Sequence, residues 1–169
     1  INQYAKAIPE LEKAIDLLHK WGTDDSWYYG DLGWAYHKTG QLEKEKKLYK
    51  KAEKYVKDDR YITADRAVLS FAKKDTVEAR RYLEKYASFC KDNSLSETDI
   101  ATGVAWIYWK ADIPDKAEQY FRNALLLDPE NPGKMKTLAN RLIDMNKNFD
   151  IAYELLDKAI ISAANKWDY

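Results

Sequence analysis

The sequence predicts an all-α fold of paired helices, and three observations predict it. The first is self-similarity at a nearly fixed period. Gly33, Ala67, Ala105 and Ala139 follow one another at 34, 38 and 34 residues, and Glu45, Ala79, Ala117 and Ala152 at 34, 38 and 35. Tyr49, Leu83, Phe121 and Leu156 repeat the second set of steps, and so do Ala52, Tyr86, Ala124 and Ala159. The second is the scarcity of breakers, six glycines and four prolines in 169 residues, which disfavours a turn-rich β architecture. The third is apolar spacing at the helical period, as in Ala7, Leu11, Ala14, Ile15 and Leu18.

In chain order, residues from about Gln3 to Lys20 read as one amphipathic helix, with Pro9 near its start, where a helix tolerates it. Gly22 to Asp25 connects it to the first full unit, and Asp25 or Ser26 is placed to cap the next helix. Trp27, Tyr28, Leu32, Gly33, Trp34 and Tyr36 belong to that unit's first helix, which Gly40 breaks. A second helix is expected from about Leu42 to Lys57, burying Leu48, Tyr49, Ala52 and Val56. Its other face carries Lys44, Lys46, Lys47, Lys50, Lys51 and Lys54, interleaved with Glu43, Glu45 and Glu53. That interleaving reads as a solvated face rather than a nucleic-acid patch.

Further on, Lys73-Lys74-Asp75 turns the second unit, and Ser94 to Glu97 offers a capping box for the next helix. Pro114 suits a first helical position, as does Pro132 after a capping Asn131. The expected divisions are 1–25 for a lone helix and its connector, then 26–59, 60–97, 98–131 and 132–166. Trp167-Asp168-Tyr169 reads as the start of a further unit.

Ala101, Val104, Ala105 and Tyr108, then Ala117, Phe121 and Ala124, then Pro129 set out a particular order of small, large and proline positions. It resembles the helix-turn-helix pattern of the tetratricopeptide repeat (TPR). The resemblance covers nearly the whole chain and is good over Tyr29–Ala52 and Ala101–Pro129. Glu45, Arg66 and Tyr86 stand where the pattern has Ala, an aliphatic residue and a small one. It implies one right-handed superhelical solenoid of antiparallel helix pairs, in which the leading helix is the second half of a truncated repeat. The wording of the repeats also resembles TPR regions at the C-termini of multidomain bacterial regulatory proteins. A chain that begins at Ile1 reads as a fragment of such a protein.

Composition narrows the function. Lys plus Arg equals Asp plus Glu at 28 each, which argues against a dedicated nucleic-acid or anionic-membrane binder. No apolar run approaches the roughly 20 residues that span a bilayer. One cysteine, Cys90, excludes an internal disulfide and a cysteine-based zinc cage, leaves the redox compartment open, and reads as buried or inert. His19 and His37 lack carboxylates or cysteines at ligand spacing, so each reads as a surface or helix-end residue, and no metal is expected. No phosphate loop, nucleophile elbow or HExxH motif occurs, and the carboxylate pairs Asp24-Asp25 and Asp58-Asp59 fall at connectors. No enzyme activity and no cofactor is expected.

In TPR proteins with known ligands the first helices line a concave groove. The resemblance therefore places Trp34, Val68, Trp106 and Asn140 in one row, His37, Phe71, Trp109 and Ile143 in a second, and Trp27 with Tyr61 in a third. Three readings stay open for these rings: packing between helices, a groove for an apolar peptide, or stacking against a sugar or nucleobase. The family's carboxylate clamp is not expected, because Gly30, Trp34 and Tyr61 occupy its positions in the first two full repeats and Asn140 with Lys136 matches it only in part in the fourth. The expected function is a protein-interaction module contacting its partner through Trp27, Trp34, His37, Tyr61, Phe71, Trp106 and Trp109. The alternative is a structural spacer, or a segment that self-associates through exposed ends.

Overall fold

The computed structural model describes residues 2–56 and 59–164. Among these are nine α-helices and no strand. Asp58 and the Trp167-Asp168-Tyr169 segment lie outside the described residues. The chain forms two compact units, one through Cys90 and one from Lys91 onward.

The first unit contains α1 (Asn2–Trp21), α2 (Ser26–Lys38), α3 (Leu42–Ala52), α4 (Arg60–Ala72) and α5 (Thr76–Asp92), the last crossing the boundary by two residues. Helix α2 packs against α1, α3 and α4, and α3 also packs against α4. The core gathers Ile15, Tyr29, Leu32, Tyr36, Tyr49 and Ile62. The second unit contains α6 (Glu97–Lys110), α7 (Pro114–Leu127), α8 (Pro132–Asp144) and α9 (Phe149–Ala164). There α7 packs on α6 and α8, α8 on α9, and Phe121, Leu138 and Leu142 fill the centre.

Burial follows the repeat series closely. Ala67, Ala105, Ala139, Ala79, Ala117, Ala152 and Ala52 are wholly buried. At these positions the helices approach so closely that a large side chain would hold them apart. Gly33 is the tightest case, since a Cβ there would lie 2.1 Å from the Tyr49 hydroxyl and 2.4 Å from its Cζ. Tyr49 lies across α2 in the space that the glycine leaves.

Four turns within helix pairs share one construction, which Gly22 and Thr23 repeat between α1 and α2 by donating to His19 and Leu18. Gly40, Lys74, Asp112 and Asn146 each adopt a left-handed backbone, with φ of 73°, 61°, 58° and 55°. Each donates its N–H to the carbonyl three residues back: His37, Phe71, Trp109 and Ile143 respectively. The next residue donates five back, to Tyr36, Ser70, Tyr108 and Leu142. This pair of bonds is the Schellman arrangement, which satisfies carbonyls that the helix end leaves open. Glycine serves at Gly22 and Gly40, so the turns at Lys74, Asp112 and Asn146 bear a modest steric cost.

The helix starts are also set by short-range chemistry. Asp25 and Asp59 cap α2 and α4, Asn131 caps α8, and Pro114 and Pro132 open α7 and α8. Two details differ from the sequence reading. The cap of α6 is Ser96, whose hydroxyl accepts from the Asp99 amide, while Ser94 sits at a φ of 59° two residues earlier. Helix α3 closes at Ala52, because Lys54 and Tyr55 donate three residues back, to Lys51 and Ala52, and tighten the chain out of the α-helix.

Gly33→Ala is expected to destabilise the protein by about 1–3 kcal/mol in urea unfolding, through overpacking against Tyr49. Pairing it with Tyr49→Leu should recover part of that loss; strict additivity of the two changes would refute the contact. Lys74→Gly should act oppositely and raise stability by about 0.5–1 kcal/mol, by relieving the left-handed strain of a residue with a Cβ.

Candidate functional site

Helix caps place the exposed rings of the first unit. The Asp25 carboxylate accepts the Trp27 amide at 2.9 Å, and that of Asp59 accepts the Tyr61 amide at 2.8 Å. Both rings therefore occupy the same position in the first turn of successive first helices. Their centroids lie 5.4 Å apart with planes tilted by 33°. Trp27 is 65% exposed and Tyr61 44%. Arg60 donates to the Tyr61 hydroxyl at 2.7 Å and holds its guanidinium 4.7 Å from the ring centroid.

A turn or two further along α2, Trp34 stacks on His37 at 5.2 Å with nearly parallel planes, and Lys38 Nζ lies 4.4 Å over the indole. Both rings are half-buried, as is Phe71 on α4. His37 is not a free surface histidine. Its Nδ1 lies 3.1 Å from Glu45 Oε2, and Glu45 itself is only 1% exposed. This corrects the reading of Glu45 as part of a solvated face. It occupies a small-residue position between helices and carries its carboxylate to His37 and Tyr49 instead of to water. Burial pushes the Glu45 carboxyl above its ordinary range, against the opposing pull of His37, while Asp65 adds to the rise. Burial likewise drives the Tyr49 phenol well above its usual value.

In the second unit the rings have a different partner. Trp106 is 39% exposed and meets Phe121 edge-on at 5.4 Å, and Trp109 is half-buried. The Arg141 guanidinium lies 5.2 Å from the Trp106 ring and 4.8 Å from the Trp109 ring, and pairs with Asp144 at 2.7 Å. Among the described residues, the buried Arg141 Nε has no hydrogen-bond partner. Sequence reasoning missed Arg141, which falls one position beyond Asn140 in the expected row; its long side chain reaches back across the gap to both indoles. Val68, also expected in a row, is core at 2% exposed.

The sequence profile of the tetratricopeptide repeat matches residues 28–55 and 100–131. The chain carries tetratricopeptide repeats. Among solved structures, the TPR chain is similar to BtubC from P. vanneervenii at 17% identity, over 96% of this chain and 74% of that one, with a TM-score of 0.56. It is similar to the APC/C hetero-tetramer Cut9-Hcn1 at 17% identity, over 97% of this chain and 31% of that one, with a TM-score of 0.53. MamA from Desulfovibrio magneticus RS-1 aligns at 16% identity over 99% and 94% of the two chains, with a TM-score of 0.49. No curated protein matches the sequence.

The TPR fold makes the chain a protein–protein interaction module in general terms, and scaffolds of this kind are generally non-enzymatic. Among the described residues no group of three or more His, Cys, Asp or Glu is arranged to hold a metal ion, and no helix is long and apolar enough to cross a membrane. Cys90 is fully buried.

The Glu45 site has a pH signature. Because folding raises this carboxyl, the folded protein holds the proton more tightly than the unfolded chain does. Stability from the group is complete below the ordinary carboxylate range and is lost as pH rises through the raised folded value. Urea unfolding across that range should therefore fall more steeply with pH in the parent than in Glu45→Gln; equal slopes would remove Glu45 as the source.

Proposed function

We propose that this TPR protein binds an extended or helical peptide segment through exposed aromatic rings on its first helices, with Trp27 and Tyr61 as the principal contacts. The observation that supports the reading best is the open pair itself. An indole that is 65% exposed, held 5.4 Å from a second exposed ring by two equivalent helix caps, is uncommon on a solvated surface. Rigid rings with few rotatable bonds bury much apolar area at little entropic cost, and the capped helices leave little ordering to be done on binding.

Trp34, His37 and Phe71 extend the contact within the first unit, their half-buried rings supplying edges rather than open faces. Trp106 and Trp109 contribute a second contact in the other unit. With Arg141 over both indoles, that contact accepts apolar groups at the ring edges and an acceptor at the guanidinium. In this reading the chain is a binding module and carries out no chemistry of its own.

The test needs no known partner. Peptides selected from a random display library against the parent protein should bind Trp27→Ala and Tyr61→Ala at least about tenfold more weakly, equivalent to about 1.4 kcal/mol. Thermal unfolding of both variants should stay close to that of the parent, because the rings are exposed. Selected peptides that bind both variants as tightly as the parent would refute the reading.

A further inference from the structure

The lysine-rich face of α3 has no part in the aromatic contacts, yet it does not simply face open water. A cleft of about 290 Å³ opens between α3 and α5, with α4 beneath it. Lys46, Lys50, Arg66, Lys73 and Arg81 line it against two carboxylates, Glu53 and Glu78. Those carboxylates are already engaged. Glu53 pairs with Arg66, and Glu78 lies 3.5 Å from the Ser70 hydroxyl. Glu43 reaches in from the same helix to pair with Lys73. Among the described residues Lys46, Lys50 and Arg81 have no ion-pair partner.

Lys46 and Lys50 stand one helical turn apart, and like charges at that spacing repel. Arg81 approaches from the opposite wall. The cleft thus concentrates positive charge over a low-dielectric floor containing Leu69, Tyr49 and Tyr82, where an incoming carboxylate interacts more strongly than at an open surface. The floor also distinguishes among anionic partners. Tyr49 is buried, and the Tyr82 ring already has the Arg66 and Arg81 guanidiniums 5.4 and 5.6 Å from its centroid, which leaves little ring face for a nucleobase. An apolar floor between basic walls matches a peptide in which acidic residues flank an aliphatic one.

We propose that the cleft between α3 and α5 is a docking site for an acidic peptide segment of a partner protein, separate from the aromatic contacts. Carboxylates pair with Lys46, Lys50 and Arg81, and an intervening aliphatic side chain rests over Leu69 and against the edge of the Tyr82 ring. Because it uses none of the rings of the aromatic surface, it stands or falls independently of them.

The probe is a short fluorescein-labelled peptide with glutamates on both sides of two leucines, its binding read by fluorescence anisotropy. Lys46→Gln/Lys50→Gln should weaken binding about tenfold. Lys44→Gln/Lys47→Gln removes the same charge from the same helix but lines a different groove, against α1, and should change binding less than about twofold. Raising NaCl from about 50 to about 300 mM should weaken the parent and narrow the gap between it and the Lys46/Lys50 variant. Equal losses in the two double variants would mean diffuse attraction and overturn the proposal. So would tighter binding of oligothymidylate than of the peptide, or no binding of the peptide at all. All four lysines are solvent-facing, and circular dichroism confirms that each variant is folded before it is compared.

Discussion

Close approach between helices at positions that cannot carry a large side chain is the constraint on which the rest of this structure depends. Wherever one of the wholly buried alanines recurs, a neighbouring helix lies almost against the backbone, and at Gly33 the Tyr49 ring occupies the place of a methyl group. The large side chains of the same series, Tyr49 and Phe121, fill the space beside each crossing. Since packed interiors tolerate neither voids nor overlap, the small and the large positions constrain each other. The Schellman turns supply the complementary restraint, closing each pair over the same short distance four times.

That geometry accounts for where the aromatic surface falls. A first helix packed through its small residues on one side must present its other residues elsewhere, and equivalent caps at Asp25 and Asp59 bring Trp27 and Tyr61 to equivalent places. The rings do not share one environment. Trp27 and Tyr61 are open, Trp34 is stacked on His37, and Trp106 and Trp109 share Arg141. One sequence motif thus produces ring surfaces of different polarity, which broadens the chemistry that a binding module can address.

The parts of the fold legible in the sequence were those enforced by volume and backbone. Small residues at a 34-residue period, Asn131 before Pro132, and Gly40 after an apolar helix each have one economical explanation. What the sequence concealed lies at the ends of long side chains. Glu45 looked solvated because its neighbours Lys44, Lys46 and Lys47 are, yet its Cβ belongs to the packed face and its carboxylate finds His37. Arg141 looked like one more polar residue on α8, and only its reach across to Trp106 and Trp109 gives it a role. Periodicity locates Cβ atoms; it does not say how far a flexible side chain travels from them. The early close of α3 was hidden for a related reason, since Glu53 to Val56 retain helical composition while the backbone bonds tighten.

Cys90 offers a use that is independent of any partner. Its sulfur is sealed within α5, 0% exposed, and is the chain's one thiol. A thiol-reactive dye added to the native protein can reach it only when the surrounding helices part, so the labelling rate counts those openings. The molecule therefore carries its own clock for local unfolding beside α5. A ligand that clamps the neighbouring helices would slow that clock without any label on the ligand itself.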